Sequence, residues 1–406
     1  MEIVVIGAGA SGLMAAIQAA ASGARVTVLD GMEKPGKKLL TTGNGRCNLT
    51  NLSAGHTPVY RGRNPGLAEG IVKAFPPGET LAFFESIGLF CTERDGGLVY
   101  PRSGQAASVL DCLLREAVRR RVRLKYRQKV SDIRRDGQGF LVETEDWRYP
   151  ADRVILSCGS KAAPVTGSDG SGLALAGKLG HKTAPFLPAL VALKTKETLS
   201  HTLDGVRMPA RISISASSEE TVLQEAGELQ WTGYGISGIA VFQLSRFAVN
   251  ALEAGKQVTA RIDLLPDIPV RSLMGSVEKI LNGSFSGTNE ELLEGIFPKK
   301  AVPFLIRTAG VPAKKPADTN AMGRLLETAS NVRLTVTGSK GFEAAQCCSG
   351  GVLLTEIFPR TMESRLVPGL YMTGELLDAD GPCGGYNLQW AWTTGFLAGK
   401  HAGGNV

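Results

Sequence analysis

Apolar residues open the chain as one run, Ile3-Val-Val-Ile6, which breaks at Gly7-Ala-Gly-Ala-Ser-Gly12 and gives way to a small-residue helical pattern up to Ala21. An unbroken β-branched run predicts a buried strand, and the change of period after the glycines predicts a tight turn and a helix. A second apolar run ends on Asp30. The polar, glycine-rich span 34–51 reads as a loop. Beyond it, a helix is predicted over 106–121, strands over 122–135 and 138–146, and a strand over 153–157. This alternation predicts an α/β fold built on a parallel sheet. After Pro188 the texture changes. Apolar alternation over 190–196, 210–215 and 257–264 predicts strands. Helical patterns follow over 270–281, 290–308 and 320–329, punctuated by Pro266, Pro269, Pro298, Pro303, Pro312 and Pro316. A strand over 334–337 would close a barrel. The chain then re-enters its first texture at Ser349, where a strand ending at Met372 and a helix over 386–399 are expected.

The glycine spacing carries chemistry. Gly7, Gly9 and Gly12 complete a G-x-G-x-x-G between strand and helix: Gly7 allows the turn, Gly9 admits a pyrophosphate to the backbone, and Gly12 lets helix pack on strand. Ala10 and Ser11 open the helix, whose N-terminus attracts phosphate charge. Asp30 ends the second strand at the distance expected of a ribose-binding carboxylate. In the following loop Gly36, Gly43 and Gly45 alternate with Lys37, Lys38, Thr42, Asn44 and Arg46, a composition that suits wrapping around an extended anionic cofactor. That length favours FAD over NAD. A second G-x-G-x-x-G is missing, since Gly167 to Gly172 has the wrong spacing, so NAD(P)H is expected to dock only transiently.

The string Gly36-Lys-Lys-Leu-Leu-Thr-Thr-Gly-Asn-Gly-Arg-Cys-Asn-Leu-Thr-Asn51 resembles the signature of the BaiN/YhiN-like flavoproteins, a family of NAD(P)/FAD-dependent oxidoreductases also described as aminoacetone-oxidase-like. Residues 154–160 with 164–170, Gly235-Ile-Ser-Gly238, and 369–378 with 384–392 are similar to further motifs of that family. The resemblance implies a glutathione-reductase-type, Rossmann-like FAD domain over 1–188 and 345–406. It also implies an inserted substrate domain over 189–344, β-rich at 189–265 and 330–344 and helical at 266–329. It further implies that the backbone near Val130 meets the adenine, that Cys158, Gly159, Gly374, Glu375 and Gly385 line the cofactor, and that the Asn387 and Leu388 amides face the flavin N1–C2=O edge. Near the reacting centre, Arg46 is expected to hold a substrate carbonyl or anion, Asn48 to position it, and Tyr386 to donate a proton. Cys47 is either a pocket-wall thiol or a small residue packed beneath the flavin. Trp390, Trp392 and Phe396 read as core. Departures from the family pattern occur at Gly159-Ser160, at Ala163 and at Thr232-Gly233, where a histidine is common in relatives. No histidine acid/base carries over, and His56, His181, His201 and His401 receive no role.

The leading expectation is an NAD(P)H-driven reduction of an activated C=C bond, in an enone, a steroid-like molecule or an unsaturated acid, by hydride from flavin N5. The alternatives are an amine or aminoketone oxidase using O₂ and an RNA-associated flavoprotein. Composition adds little to this choice: 406 residues, 43% hydrophobic and 20% charged, provide for a large core. Seven cysteines, odd in number and without zinc-ligand spacing, read as reduced, and no metal site is expected. With no apolar run of membrane-spanning length and the first strand starting directly after Met1, a cytoplasmic protein is expected. The net charge of +7 is partly clustered between Arg115 and Arg127 and at Arg134-Arg135. That cluster reads as a solvated helix face rather than a nucleic-acid surface, because no RNA-binding module accompanies it. A small-molecule substrate is expected, and the oligomeric state is left open.

Overall fold

The computed structural model describes residues 1–197, 203–217 and 223–404, so His201 lies outside the described residues. The buried strand Glu2–Ile6 sits at the centre of a five-stranded parallel sheet in the order Leu370–Met372, Arg153–Leu156, Glu2–Ile6, Arg25–Leu29, Arg123–Lys125. Strands buried on both faces need no polar alternation, which accounts for the continuous apolar run. Helix Ala10–Ala21 and the C-terminal helix Tyr386–Gly403 pack face to face through small residues. A Cβ at Gly395, Gly399 or Gly403 would overlap the carbonyl oxygens of Ser11, Ala15 and Ala19 respectively, so glycine at every fourth position sets the approach of the two helices.

The chain divides into two compact units, Met1–Pro188 with Gln346–Val406, and Ala189–Ala345. Besides the parallel sheet, the first unit holds two three-stranded antiparallel sheets. One is Thr50–Asn51, Leu98–Pro101 and Cys91–Arg94; the other is Val130–Asp136, Gly139–Thr144 and Arg148–Ala151. The second unit combines helices with a closed six-stranded barrel in the order Leu193–Thr195, Gly235–Ser237, Leu223–Thr232, Arg207–Ala216, Val258–Asp263, Val332–Ser339. The last strand pairs with both the fifth and the first and so closes it. The architecture is the α/β fold with an inserted barrel that the sequence pattern predicts.

Several local expectations change. The helix expected over 290–308 is two, Asn289–Glu294 and Val302–Ala309, because Gly295 ends the first and Pro298 bars continuation, while Pro303 is tolerated in the first turn of the second. The strand expected over 122–135 breaks at Arg127, whose φ of 55° turns the chain. The span 34–51 is more ordered than a loop, with helix Lys37–Thr41 and a 3₁₀ turn over Thr42–Gly45. Helix Ile239–Glu253 lies inside the span read as β-rich. Helices Pro65–Val72 and Pro77–Ser86, each started by proline, were not anticipated.

Candidate functional site

The three glycines of the first turn do three different things. Gly7 has φ +106°, and a side chain there would strike the Ser157 backbone; a Cβ at Gly12 would overlap the Gly7 carbonyl oxygen. A Cβ at Gly9 would meet nothing within 4 Å. Packing therefore demands Gly7 and Gly12, while Gly9 faces open space at the start of a helix that no side chain caps. The first N–H groups of such a helix, including those of Ala10 and Ser11, have no intrahelical acceptor and are suited to a phosphate. Asp30 closes this turn: its Oδ2 accepts from the Ala8 N–H at 2.7 Å and its Oδ1 from Met32 at 2.8 Å. Burial pushes its carboxyl above the ordinary value, opposed by those two amides and by the charge of Lys37.

The following segment is fastened to the same turn. The Gly36 N–H donates to Ala8 O at 3.0 Å, and Gly36, at φ +66°, fits against Leu110 where a Cβ would not. Two residues on, the Lys38 Nζ lies 2.5 Å from Glu375 Oε2, which also accepts from the Ser160 hydroxyl at 2.9 Å. Gly374, at φ +66°, leaves room for the Ser11 side chain, donates to Thr394 Oγ1 at 2.9 Å and accepts from Trp390 Nε1 at 2.9 Å. Gly159, at φ +71°, does the same for Ser168, and the adjacent Cys158 thiol is pushed up to about 12 by burial. Just ahead of the adjacent antiparallel sheet, the Gln128 N–H donates to Asp30 O at 2.8 Å, and within that sheet the pairing register shifts between Val130 and Asp132. Gly7 to Gly12, Asp30, Gly36, Lys38, Cys158, Gly159, Gly374 and Glu375 are thus gathered by direct contact, with Val130 two residues beyond that link.

A second cluster surrounds the N-terminus of the C-terminal helix. Gly43, Asn44, Gly45 and Cys47 all have φ between 54° and 81°, a left-handed run that turns the loop back on itself. Cys47 is fully buried, donates from its N–H to Thr42 O at 2.9 Å, and has its thiol pushed up to about 12 by burial. It packs as a small neutral residue. Arg46 is exposed, and among the described residues no hydrogen bond or ion pair engages its side chain. Asn48, expected to position substrate, is turned inward instead. Its amide donates to Val99 O at 3.2 Å and Thr50 O at 3.1 Å and accepts from the Gly385 N–H at 3.2 Å. It positions the helix start.

Tyr386 opens that helix, half-buried, with its phenol hydrogen-bonded to the Ser53 side chain and pushed above the ordinary tyrosine value by burial. Tyr60, fully enclosed, donates to Tyr386 O at 2.9 Å and meets its ring edge-on at 6.4 Å. The Asn387 side chain closes on Gly381, accepting from its N–H at 2.8 Å and donating to its carbonyl at 2.9 Å. The first helical bond is Gln389 N–H to Gly385 O, which leaves the Tyr386, Asn387 and Leu388 amides without intrahelical acceptors. Sequence reasoning missed Gln389. Its side chain accepts from Thr50 at 2.6 Å and donates to Phe75 O, Thr80 and Thr393 at 2.9, 2.9 and 3.0 Å. A lone amide between Leu388 and Trp390 was the available signal, since a polar group surrounded by apolar neighbours must be satisfied. Ser160 was missed too, treated as a departure although it anchors Glu375.

The vacancy at Gly9, two uncapped helix starts and the carboxylate of Asp30 fit an adenine dinucleotide with a long second half, so the residues present suit FAD. The family described as HI0933-like protein Rossmann domain matches residues 1–401. The chain is 45% identical over 406 residues to the 3-dehydro-bile acid delta(4,6)-reductase of Clostridium scindens, covering 99% of this chain and 98% of that one. It is 28% identical to the ribosomal RNA dihydrouridine synthase of Escherichia coli, covering 98% and 97%. Among solved structures, the 3-ketosteroid delta1-dehydrogenase from Sterolibacterium denitrificans, in complex with 1,4-androstadiene-3,17-dione, is similar with a TM-score of 0.51 at 14% identity, over 99% of both chains. That last likeness concerns the fold.

Proposed function

The chain belongs to the HI0933-like Rossmann family of FAD oxidoreductases, and from that premise we propose that it reduces an activated C=C bond in a small enone, steroid-like molecule or unsaturated acid, with NAD(P)H as transient donor. FAD, when bound, supplies hydride chemistry at N5. The glycine turn, Asp30, Lys38, Gly159 and Glu375 would hold it, and the amides opening the C-terminal helix would favour negative charge on its pyrimidine edge. The observation that carries the reading is Arg46, an uncommitted cation on a left-handed loop: it polarises the acceptor's carbonyl and makes the β-carbon electrophilic. Tyr386, which burial keeps protonated, delivers the proton to the α-carbon, so that one hydride and one proton add across the double bond. The 45% identical relative, named for a delta(4,6) reduction, supports this class of acceptor.

No helix among the described residues is long and apolar enough to cross a membrane. Anaerobic stopped-flow absorbance with NADH or NADPH tests the reading. Bleaching of the flavin band, followed by faster reoxidation with an enone than with air, is expected. No bleaching by either nucleotide, with bleaching by an amine, would replace it with an oxidase. Arg46→Ala should retain FAD and lower turnover on the order of 10²-fold, the usual loss for one electrostatic donor.

A further inference from the structure

The signature string ends on Asn51, and neither the cofactor site nor the proposed reaction has used that residue. Asn51 is buried at the end of strand Thr50–Asn51 and engaged at both ends of its amide. Its Nδ2 donates to Gly96 O at 3.2 Å, and its Oδ1 accepts from the Ser53 N–H at 2.9 Å. Ser53 is held from the other side as well, because its carbonyl accepts from the His56 and Thr57 N–H groups at 3.1 and 3.2 Å. Three hydrogen bonds thus pin the Ser53 backbone, and its side chain meets the Tyr386 phenol.

Tyr386 is confined in the same way. A Cβ at Gly381 would lie 2.6 Å from Tyr386 Cβ, and one at Gly384 would lie 3.4 Å from Tyr386 Cε2 and 3.7 Å from Asn51 Nδ2. The two glycines therefore let the tyrosine ring settle beside Asn51. The Tyr60 hydroxyl donates to the Tyr386 main-chain carbonyl, so it serves the helix start and not the phenol. Among the described residues, Ser53 is the side chain bonded to the Tyr386 hydroxyl. A phenol that gives its hydrogen to a substrate keeps only lone pairs for the protein, which makes the serine the donor of this bond.

We propose that Ser53 is the positioning residue of the proton donor: its hydroxyl aims the Tyr386 phenol and stabilises the phenolate formed as the proton leaves. The inference rests on the reading of Tyr386 as the acid. As the acceptor takes up hydride at its β-carbon, the Tyr386 O–H bond breaks and its proton forms the new C–H bond at the α-carbon. The double bond is reduced by two electrons and the flavin is oxidised by two. The phenolate then takes the Ser53 proton, and Ser53 takes one from water. A hydrogen bond to an anion is about twice as strong as one between neutral groups, so this bond tightens as charge develops and favours the transition state over the ground state. Ser53 is half-buried and His56, Thr57 and Pro58 are exposed, which places the serine one turn from solvent.

The test is reoxidation of the FAD-loaded full chain, photoreduced without air so that no nucleotide is needed. It is mixed in a stopped-flow with whichever cyclic or steroid enone reoxidises wild type fastest. Tyr386→Phe should slow reoxidation on the order of 10²-fold, the usual contribution of a positioned acid. Ser53→Ala should slow it about 10-fold at saturating enone, the worth of one hydrogen bond to a charged group, and leave the half-saturating enone concentration unchanged. Ser53→Thr keeps the hydroxyl and should restore most of the rate. The double variant Ser53→Ala with Tyr386→Phe should be no slower than Tyr386→Phe alone, because Ser53 acts only through the phenol. A further loss in the double variant overturns the proposal, as does an unchanged rate in Ser53→Ala. Loss of FAD from Ser53→Ala would make the serine structural and overturns it too. Reoxidation of wild type by no enone, or at an unchanged rate in Tyr386→Phe, instead fails the reading of Tyr386 as the acid, and the role of Ser53 falls with it.

Discussion

The two helix starts make opposite use of glycine. At Gly9 a side chain would enter empty space; at Gly385, φ +92°, it would lie 2.6 Å from the Thr50 carbonyl group. The first start is shaped for something that is not protein, and its turn is mostly local, residues 7–12 closed by Asp30, with Ser157 and Gly374 packed against it. The second is filled by its own chain. It is aimed by Asn48, Thr50, Tyr60, Phe75 and Thr80, all more than 300 residues earlier in the sequence. An uncapped helix N-terminus can thus be either a local device or a long-range assembly, with different sensitivities to mutation.

The largest effect tests what joins the two starts. Gly399→Val drives a branched side chain into the Ala15 backbone and should cost at least about 3 kcal/mol by overpacking, read as loss of the cooperative melt or of soluble protein. Next, Gly9→Val should abolish FAD retention while the cofactor-free protein melts as wild-type apoprotein does. A variant that purifies with full FAD content would end the claim that Gly9 faces the pyrophosphate. At the second start, Gln389→Leu leaves the buried Thr50 hydroxyl without its acceptor and Thr80 without its donor, while Thr393 still donates to the Phe75 carbonyl, and should lower stability by about 2 kcal/mol. It should also shift the flavin midpoint potential downward, because the helix start is less firmly aimed. An unchanged potential with lowered stability would make Gln389 structural only.

The smallest effect lies away from both. His181 is buried, with Nδ1 3.1 Å from Ala176 O and Nε2 2.7 Å from the Ser364 hydroxyl, and burial holds it below the ordinary imidazole value of 6.5. The unfolded chain then takes up the proton first, so this contribution is complete above pH 6.5 and is lost as pH falls below it. Melting temperature should decline on acidification below that point, and His181→Gln should flatten the decline.

Legibility followed the same division. The strand, Gly7 to Gly12 and Asp30 were readable because their chemistry is written in consecutive residues. Helix 290–308 was misread because periodicity persisted through Gly295 and Pro298, where backbone geometry overrules it. Asn48 could be placed in the right loop but not given its direction, since what it bonds is decided by Val99 and Gly385. The helix before the basic segment reads to Arg121, two residues too far, because arginine sustains helical propensity, while the left-handed residue at Arg121 ends it; the strand that follows was legible.

Burial of the cysteines has a consequence for how the protein endures its own chemistry. Burial pushes the thiols of Cys47 and Cys158 up to about 12 and that of Cys348 to about 11, so all three are held in the unreactive neutral form at neutral pH. Peroxide and alkylating agents attack the thiolate, so burial shields these three sulfurs from oxidants formed when stray electrons pass to oxygen. The same burial that packs these side chains as small apolar residues also takes their sulfur out of reach of redox side reactions.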